Sequence, residues 1–171
     1  MEENKNTKQG ESLKEKMKRW IIYAVVFIGI AFMNGLIKTL VAESHKTSKV
    51  ETKYNTFDKL MRDQVKKMNA QLPIRIDEYT TCTDVSYTTS GGRKMISKYR
   101  LADEAIEYAM QGSAMQEIKN EMIRSMRVQY PKTKEITTMM IECGMIYKYE
   151  YYDRHGKLIN SYILHPREIV Y

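Results

Sequence analysis

The stretch Met145–Leu164, MIYKYEYYDRHGKLINSYIL, decides the fold of this chain. Two runs rich in tyrosine and isoleucine flank the turn-forming sequence DRHG at residues 153–156. Aromatic and β-branched residues favour strands, and a short connection that contains glycine favours a reversal of the chain. The stretch therefore predicts a β-hairpin with strands Met145–Tyr152 and Lys157–Leu164.

Alternate residues of a strand point to opposite faces of its sheet. One face of the first strand carries a row of tyrosines, namely Tyr147, Tyr149 and Tyr151. This row is either a core face under helices or an exposed contact surface, since tyrosine is enriched at interfaces. We favour the core, because the helices need a surface to cover. Lys148, Glu150 and Tyr152 then lie on the exposed face, which we predict to bind another protein.

A second hairpin precedes this one in the sequence. Thr80–Thr88 is rich in Thr, Val and Tyr, and Arg93–Leu101 alternates apolar and basic residues. The turn sequence Ser90-Gly91-Gly92 lies between them. Both features are typical of antiparallel strands joined by a tight connection.

Helical patterns occupy the remaining parts of this region. Thr56 is a candidate N-cap for an amphipathic helix that ends before Pro73. Asp103 is a candidate N-cap for a short helix that is interrupted at Gly112. A longer apolar stripe follows, formed by Met115, Ile118, Met122 and Met126.

Two caps and a proline set the expected ends of these later helices. Ser113, with Gln116 three residues on, forms a capping box that restarts the chain as a helix, and Pro131 stops it. A third helix is capped near Thr133, and Gly144 fits the position just after its end. The order is helix, hairpin, helices, hairpin. It predicts an α+β domain with a four-stranded antiparallel sheet covered by helices on one face.

The N-terminal part of the chain contains the most apolar segment, Trp20–Ala42, which is interrupted only by Lys38. Its 23 residues form a helix of about 35 Å, which is enough to cross a hydrocarbon core of about 30 Å. A cleaved signal peptide is the alternative, but such cores are shorter and end in small residues. We therefore predict a transmembrane anchor that contacts the lipid bilayer.

The distribution of lysine and arginine indicates the orientation of this anchor. Six basic residues precede the segment and four follow it over a comparable span, which favours an N-terminus inside the cell. The predicted organisation is a cytoplasmic leader at 1–19, the anchor at 20–42, a polar stalk at 43–55 and an extracytoplasmic domain at 56–171. The chain would then lie in the bacterial inner membrane. The reversed orientation would leave the domain facing anionic lipid in the cytoplasm.

Charge and cysteine content exclude several functions. The net charge is +7, of which residues 43–171 carry +4 in a dispersed pattern, so we expect no nucleic-acid binding. The two cysteines, Cys82 and Cys143, are either a disulfide in an exported domain or separate buried thiols. No Cys-x-x-Cys or His/Cys cluster is present, so we expect no metal and no cofactor.

Catalytic motifs are also absent from the sequence. The three histidines are scattered, and no nucleophile motif such as Gly-x-Ser-x-Gly occurs. The adjacent carboxylates Asp77-Glu78 and Asp103-Glu104 are explained by turns and helix caps. We therefore predict that the protein is not an enzyme and has no small-molecule ligand.

A set of short motifs resembles a pattern found in small exported or membrane-anchored bacterial envelope proteins of unassigned function. The pattern covers residues 57–164. Its members are Gln71-Leu72-Pro73, Asp77, Thr81, Tyr99, Leu101, Gly144, Tyr147, Tyr149, Asp153 and Gly156. The resemblance implies an envelope location and no particular activity.

These observations together predict a single-pass envelope protein whose outer domain binds another, unidentified envelope protein. The domain would be an accessory subunit of an envelope complex or an immunity-type inhibitor. An enzyme with a dispersed site of Tyr, Asp and Lys residues is the alternative, and it would require a cleft of converging ionisable groups.

Overall fold

The computed structural model describes the backbone of residues 50–170 and the side chains of residues 54–170. The predicted leader, the predicted anchor Trp20–Ala42 and most of the predicted stalk lie outside the described residues. Within residues 50–170, no helix has the length and the apolar character needed to span a membrane.

The domain has the expected α+β composition, with the helices and strands mixed along the chain. The elements in order are α1 (Val50–Asn69), β1 (Ile74–Arg75), β2 (Thr80–Thr88), β3 (Lys94–Leu101), α2 (Asp103–Met110), α3 (Gly112–Glu142), β4 (Ile146–Tyr152), β5 (Leu158–Leu164) and α4 (Arg167–Val170). Both predicted hairpins are present, as β2–β3 and β4–β5.

The sheet differs from the predicted four-stranded antiparallel one. It has five strands in the order β1-β2-β3-β4-β5, and β3 and β4 run parallel. Parallel neighbours require a long crossover between their ends. Residues 102–145, which contain α2 and α3, provide that crossover, so the second hairpin joins the first in parallel. The two-residue β1 adds the fifth strand beside β2.

Helix α3 is continuous where two helices were expected. Pro131 lies inside its 31 residues and does not end it, and Thr133 is an interior residue instead of a cap. A proline inside a helix costs about 3 kcal/mol. Burial of Met126 before the proline and of Ile136 after it offsets this cost, because both pack into the same core. Ser113 also lies inside the helix, which begins at Gly112.

The C-terminus of α3 ends as the sequence predicts. Gly144 has φ of 64°, a left-handed conformation that glycine adopts without strain. Its N–H donates to the Ile141 carbonyl at 3.1 Å, and the Met145 N–H donates to the Met140 carbonyl at 2.9 Å. This pair of bonds is a Schellman motif, which turns the chain directly into β4.

Helix α1 is longer than predicted, because it already includes Val50 and Thr56 is not its N-cap. Its end at Asn69 agrees with the prediction of a helix that stops before Pro73. The Asn69 side chain accepts from the Val85 N–H at 3.0 Å and donates to the Val85 carbonyl at 2.7 Å. The Asn69 side chain therefore satisfies the backbone N–H and carbonyl of Val85 at the outer edge of β2, as the backbone of a neighbouring strand would.

The tyrosine row belongs to the core. Tyr147, Tyr149 and Tyr151 are all buried. Tyr151 stacks on Tyr99 of β3 with ring centroids 5.4 Å apart, and Tyr149 stacks on Tyr162 of β5 at 5.0 Å. Stacked aromatic pairs add to the stabilisation that burial provides. The predicted stripe of α3 (Met115, Ile118, Met122 and Met126) is buried as well.

An ion pair joins α1 to the start of β3. Arg93 Nε lies 2.8 Å from Asp58 Oδ1, and the Tyr87 hydroxyl donates to the same oxygen at 2.6 Å. Arg93 also lies over the Tyr54 ring and donates to the Cys143 carbonyl at the end of α3. The guanidinium therefore fixes three elements at one end of the sheet.

Of the two alternatives that the sequence leaves open for the cysteines, the structure has the separate buried thiols. Cys82 and Cys143 are both buried thiols. Cys82 lies opposite Tyr99 in the sheet, whereas the Cys143 carbonyl contacts Arg93 just before β3 begins. Arg93 and Tyr99 are separated by about 20 Å of strand. A disulfide requires Cα atoms within about 7 Å, so the two thiols are at separate ends of the sheet.

Candidate functional site

The face of the sheet opposite the tyrosines has no helix among the described elements packed over it. We call this surface the open face. Its side chains come from β2–β5, and all of them are half-buried or exposed except Glu150. Helices α1 and α3 contact the other face, where the Tyr87 hydroxyl meets Asp58 and the Tyr147 hydroxyl meets the Met140 sulfur. The sheet thus has one packed face and one accessible face.

The structure brings the three predicted site residues together in the middle of the open face. Lys148 Nζ lies 2.7 Å from Glu150 Oε1, and the Tyr152 hydroxyl donates to Glu150 Oε2 at 2.6 Å. Period-two spacing places the three residues on one face of β4, so their side chains are neighbours along the strand. Glu150 is 8% exposed and occupies the centre of the group.

Hydrogen bonding determines the protonation of this group. Burial raises the pKa of Glu150, but the hydrogen bonds from Lys148 and Tyr152 outweigh it, and the pKa lies below its usual value. The bond to Glu150 in turn raises the pKa of Tyr152 to about 12. Near neutral pH, Glu150 is therefore a carboxylate that accepts from two donors, and Tyr152 is a neutral phenol.

A second ion pair extends the polar row across the sheet. Lys98 Nζ on β3 lies 3.1 Å from Asp84 Oδ2 on β2, and Lys98 is the neighbour of Glu150 across the β3–β4 ladder. Negative and positive side chains therefore alternate over three strands. Opposite charges at neighbouring positions stabilise a sheet by a few tenths of a kcal/mol to about 1 kcal/mol per pair.

Two exposed apolar residues border the polar row on β5. Leu158 is 46% exposed and Ile163 is 41% exposed. Leu158 is the register partner of Tyr152, and Ile163 is the register partner of Lys148. Sequence reasoning missed both residues as site candidates. The hairpin connection sets the register between β4 and β5, and this register places Leu158 and Ile163 beside the predicted site residues. It was therefore the sequence signal that could have identified both residues.

A depression of about 360 Å³ lies at the end of the open face near Thr81 and Arg100. Three arginines from separate elements line it: Arg75 of β1, Arg100 of β3 and Arg154 of the β4–β5 connection. Sequence reasoning did not group these residues, because they are far apart in the chain and only the sheet brings them together. We call this site the arginine depression.

The described residues contain no arrangement typical of catalysis. No group of three His, Cys, Asp or Glu side chains among them could hold a metal ion. The largest pKa shifts belong to core groups, where burial raises the pKa of Tyr99, Tyr149 and Cys82. These shifts keep the groups protonated, so they provide no base near neutral pH.

The fold and the site define an α+β domain whose mixed sheet has one packed face and one open face. Neither a protein-family model nor a curated protein matches the sequence. A solved structure does share the fold. A Pseudomonas aeruginosa protein inferred to be secreted is 11% identical with a TM-score of 0.54, and the match covers 72% of this chain and 99% of that one.

Two type II secretion system pilotins are also similar in structure. The pilotin AspS of Vibrio cholerae is 10% identical with a TM-score of 0.47, and the match covers 71% of this chain and 99% of the pilotin. The pilotin EpsS of Vibrio vulnificus is 12% identical with a TM-score of 0.43, and the match covers 70% and 96%. The likeness to the Pseudomonas aeruginosa protein, at 11% identity, concerns the fold alone.

Proposed function

We propose that this chain is a membrane-anchored bacterial envelope protein whose domain binds another protein through the open face. Tyr152 and Lys148 make the contacts, and Glu150 holds both of them in place. Trp20–Ala42 anchors the chain in the inner membrane, with the domain on the extracytoplasmic side. The single observation that carries the proposal is the accessible sheet face with Tyr152 and Lys148 fixed on one carboxylate.

Preorganisation is the physical argument for binding at this position. Immobilising a flexible side chain on association costs about 0.5–1.5 kcal/mol. The hydrogen bonds to Glu150 already restrict Lys148 and Tyr152 before a partner arrives. The exposed Leu158 and Ile163 supply apolar area beside them. An aromatic residue with adjacent apolar and charged groups is typical of the centre of a protein interface.

The location rests on the sequence of the anchor and on its lysine and arginine bias. A domain tethered to a membrane meets other envelope proteins at a high effective concentration, so a modest affinity is sufficient. An accessory subunit of an envelope complex and an immunity-type inhibitor both fit this description. They differ in whether the partner is resident in the membrane or arrives from outside the cell.

Site-specific photo-crosslinking in intact cells tests the proposal. A benzophenone amino acid replaces Tyr152 in the full chain, and in a matched control it replaces Val128, which is 72% exposed on α3. We expect one discrete adduct from position 152 and none from position 128. Equal adduct yields from both positions, or no adduct from position 152, would contradict binding through the open face.

A further inference from the structure

The arginine depression joins the open face at Arg100. Arg100 is exposed on β3, where its register partners are Thr81 on β2 and Tyr152 on β4. Tyr152 and Arg100 are therefore neighbours across the parallel ladder. A molecule that contacts Tyr152 on the open face also reaches the depression.

Two of the three arginines are held in place by the protein. Arg75 donates from Nε to the Asp77 carbonyl at 3.1 Å and from Nη2 to the Glu78 carbonyl at 3.4 Å. Arg154 Nη1 lies 3.0 Å from Asp103 Oδ2. Each guanidinium has five N–H donors in a fixed fork, so donors remain after these contacts.

Arg100 is the third arginine and differs from the other two. It forms no ion pair with any residue of the described domain. Its guanidinium is therefore available at the rim of the depression, within reach of a molecule on the open face.

The acidic residues of the depression are already engaged. The Asp103 carboxylate pairs with Arg154, and the Tyr79 hydroxyl donates to the Glu78 carboxylate, which raises the pKa of Tyr79 to about 12. The lining holds three arginines and these two carboxylates, and the nearby carboxylates of Asp77 and Glu104 also raise the pKa of Tyr79, so Arg100 is the cationic group that remains for a ligand. At the other end of the face, Lys94 is a single basic residue without such a depression around it.

We propose that the arginine depression binds a carboxylate of the protein partner, whose acidic segment then lies along the open face. This inference rests on the proposed function and names the chemistry of the partner. Arginine recognises carboxylates through two parallel N–H···O bonds, which fixes both position and direction. Arg100 supplies the charge, and Arg75 and Arg154 supply positioned donors beside it.

The size of the open face indicates a segment as the occupant. Four strands about 4.8 Å apart and about seven residues long give a face of about 400 Å². A standard interface buries about 800 Å² on each partner. The face therefore suits a short stretch of chain with apolar residues for Leu158 and Ile163 and a carboxylate for Arg100.

Fluorescence anisotropy on the full chain in non-ionic detergent tests this inference. The probe is a labelled hexapeptide that alternates leucine and glutamate, and the control peptide has glutamine at each glutamate position. The variants are Arg100→Gln and, as a matched control on the same face, Lys94→Gln. Both remove one positive charge from β3, but only Arg100 lines the depression.

We expect the glutamate peptide to bind the unchanged chain and the Lys94→Gln variant equally. Binding to Arg100→Gln should be at least tenfold weaker, and the glutamine peptide should bind at least tenfold weaker to the unchanged chain. Added salt should weaken the binding of the glutamate peptide, because the charges lie at the surface. Equal loss in both variants, or equal binding of both peptides, would overturn the carboxylate site.

Two further arms separate the other outcomes. Co-sedimentation that is stronger with phosphatidylglycerol than with phosphatidylcholine vesicles and is reduced in Arg100→Gln, without binding of the glutamate peptide, would assign the depression to an anionic membrane and overturn the inference. Peptide binding that requires Arg100, together with loss of the 152 crosslink in cells for Arg100→Gln, would support it. If the 152 crosslink is absent but the peptide still requires Arg100, the proposed function fails and the carboxylate site stands.

Discussion

Tyr152 and Glu150 form a hydrogen bond of 2.6 Å on the open face, with the phenol as donor and the carboxylate as acceptor. Lys148 occupies the other oxygen of the same carboxylate. Glu150 is thus a positioning residue, since both of its oxygens are used inside the domain. The predicted contact surface therefore consists of Tyr152 and Lys148, with the glutamate beneath them.

Glu150→Gln should weaken partner binding while the domain stays folded. The amide can still accept from one donor, but it loses the charge that holds Lys148. Loss of a hydrogen bond to a charged group costs about 1.5–3 kcal/mol. Because the glutamine amide keeps one of the two hydrogen bonds, we expect the free energy of unfolding to fall by only about 1 kcal/mol. Denaturant unfolding measures the stability, and titration of the purified partner measures binding. Unchanged affinity for the partner would mean that the glutamate does not position the contact residues.

Tyr152→Ala should weaken binding to the crosslinked partner by about 1–2 kcal/mol, as expected for an aromatic contact at an interface. The fold should stay intact, because this side chain is only half-buried on the open face. Titration of the purified partner measures the affinity. Tyr152→Phe is the control that removes only the hydroxyl, and it should lose less. Full binding by a folded Tyr152→Ala/Lys148→Ala double variant would move the site elsewhere.

Met122→Asp should unfold the domain, since Met122 is fully buried and the change places an unpaired charge in the core. Val128→Asp is the matched control on the same helix, because Val128 is 72% exposed. We expect a cooperative thermal transition for Val128→Asp close to that of the unchanged chain, and none for Met122→Asp. Circular dichroism of the full chain in detergent measures both. A stable Met122→Asp variant would mean that α3 does not cover the tyrosine face.

The Asp58–Arg93 pair should make stability depend on pH in the acid range. Burial raises the pKa of Asp58, but the hydrogen bonds from Arg93 and Tyr87 outweigh it, so the folded-state pKa is below the unfolded value of about 3.9. The stabilisation is present above that value and is lost as pH falls through the folded-state pKa.

Asp58→Asn should therefore lower the free energy of unfolding near neutral pH. Below about pH 4, the free energies of unfolding of the variant and of the unchanged chain should become more similar. Urea unfolding at several pH values measures this. Asp63→Asn on the exposed side of the same helix is the control. A constant difference between Asp58→Asn and the unchanged chain at all pH values would show that the carboxylate charge does not contribute.

The local elements were predictable because their signals are local. Gly144 ended α3, Ser90-Gly91-Gly92 joined β2 to β3, and the period of two put Tyr149 in the core and Tyr152 on the open face. Each of these depends on residues within a few positions of one another. The same holds for the contact of Lys148 and Tyr152 with Glu150, so that part of the site followed from spacing along one strand.

The sheet order and the arginine depression were not predictable in this way. The parallel β3–β4 pairing depends on where residues 102–145 return the chain, and no local signal encodes that position. Arg75, Arg100 and Arg154 meet only because β1, β3 and the β4–β5 connection reach the same end of the sheet. The separation of Cys82 from Cys143 follows from the same global arrangement.

Pro131→Ala should stabilise the domain, which distinguishes a continuous α3 from two helices separated at the proline. Proline lacks the N–H that an interior helical position donates, and its ring crowds the preceding turn. In a continuous helix, alanine restores the bond to the Arg127 carbonyl and should raise the free energy of unfolding by about 1 kcal/mol or more. Pro166→Ala is the control, because Pro166 precedes α4 and its carbonyl accepts from the Ile169 N–H without requiring a proline. Thermal unfolding of both variants measures the effect. If Pro131→Ala lowers the melting temperature while Pro166→Ala leaves it unchanged, the proline ends a helix, and α3 is not continuous.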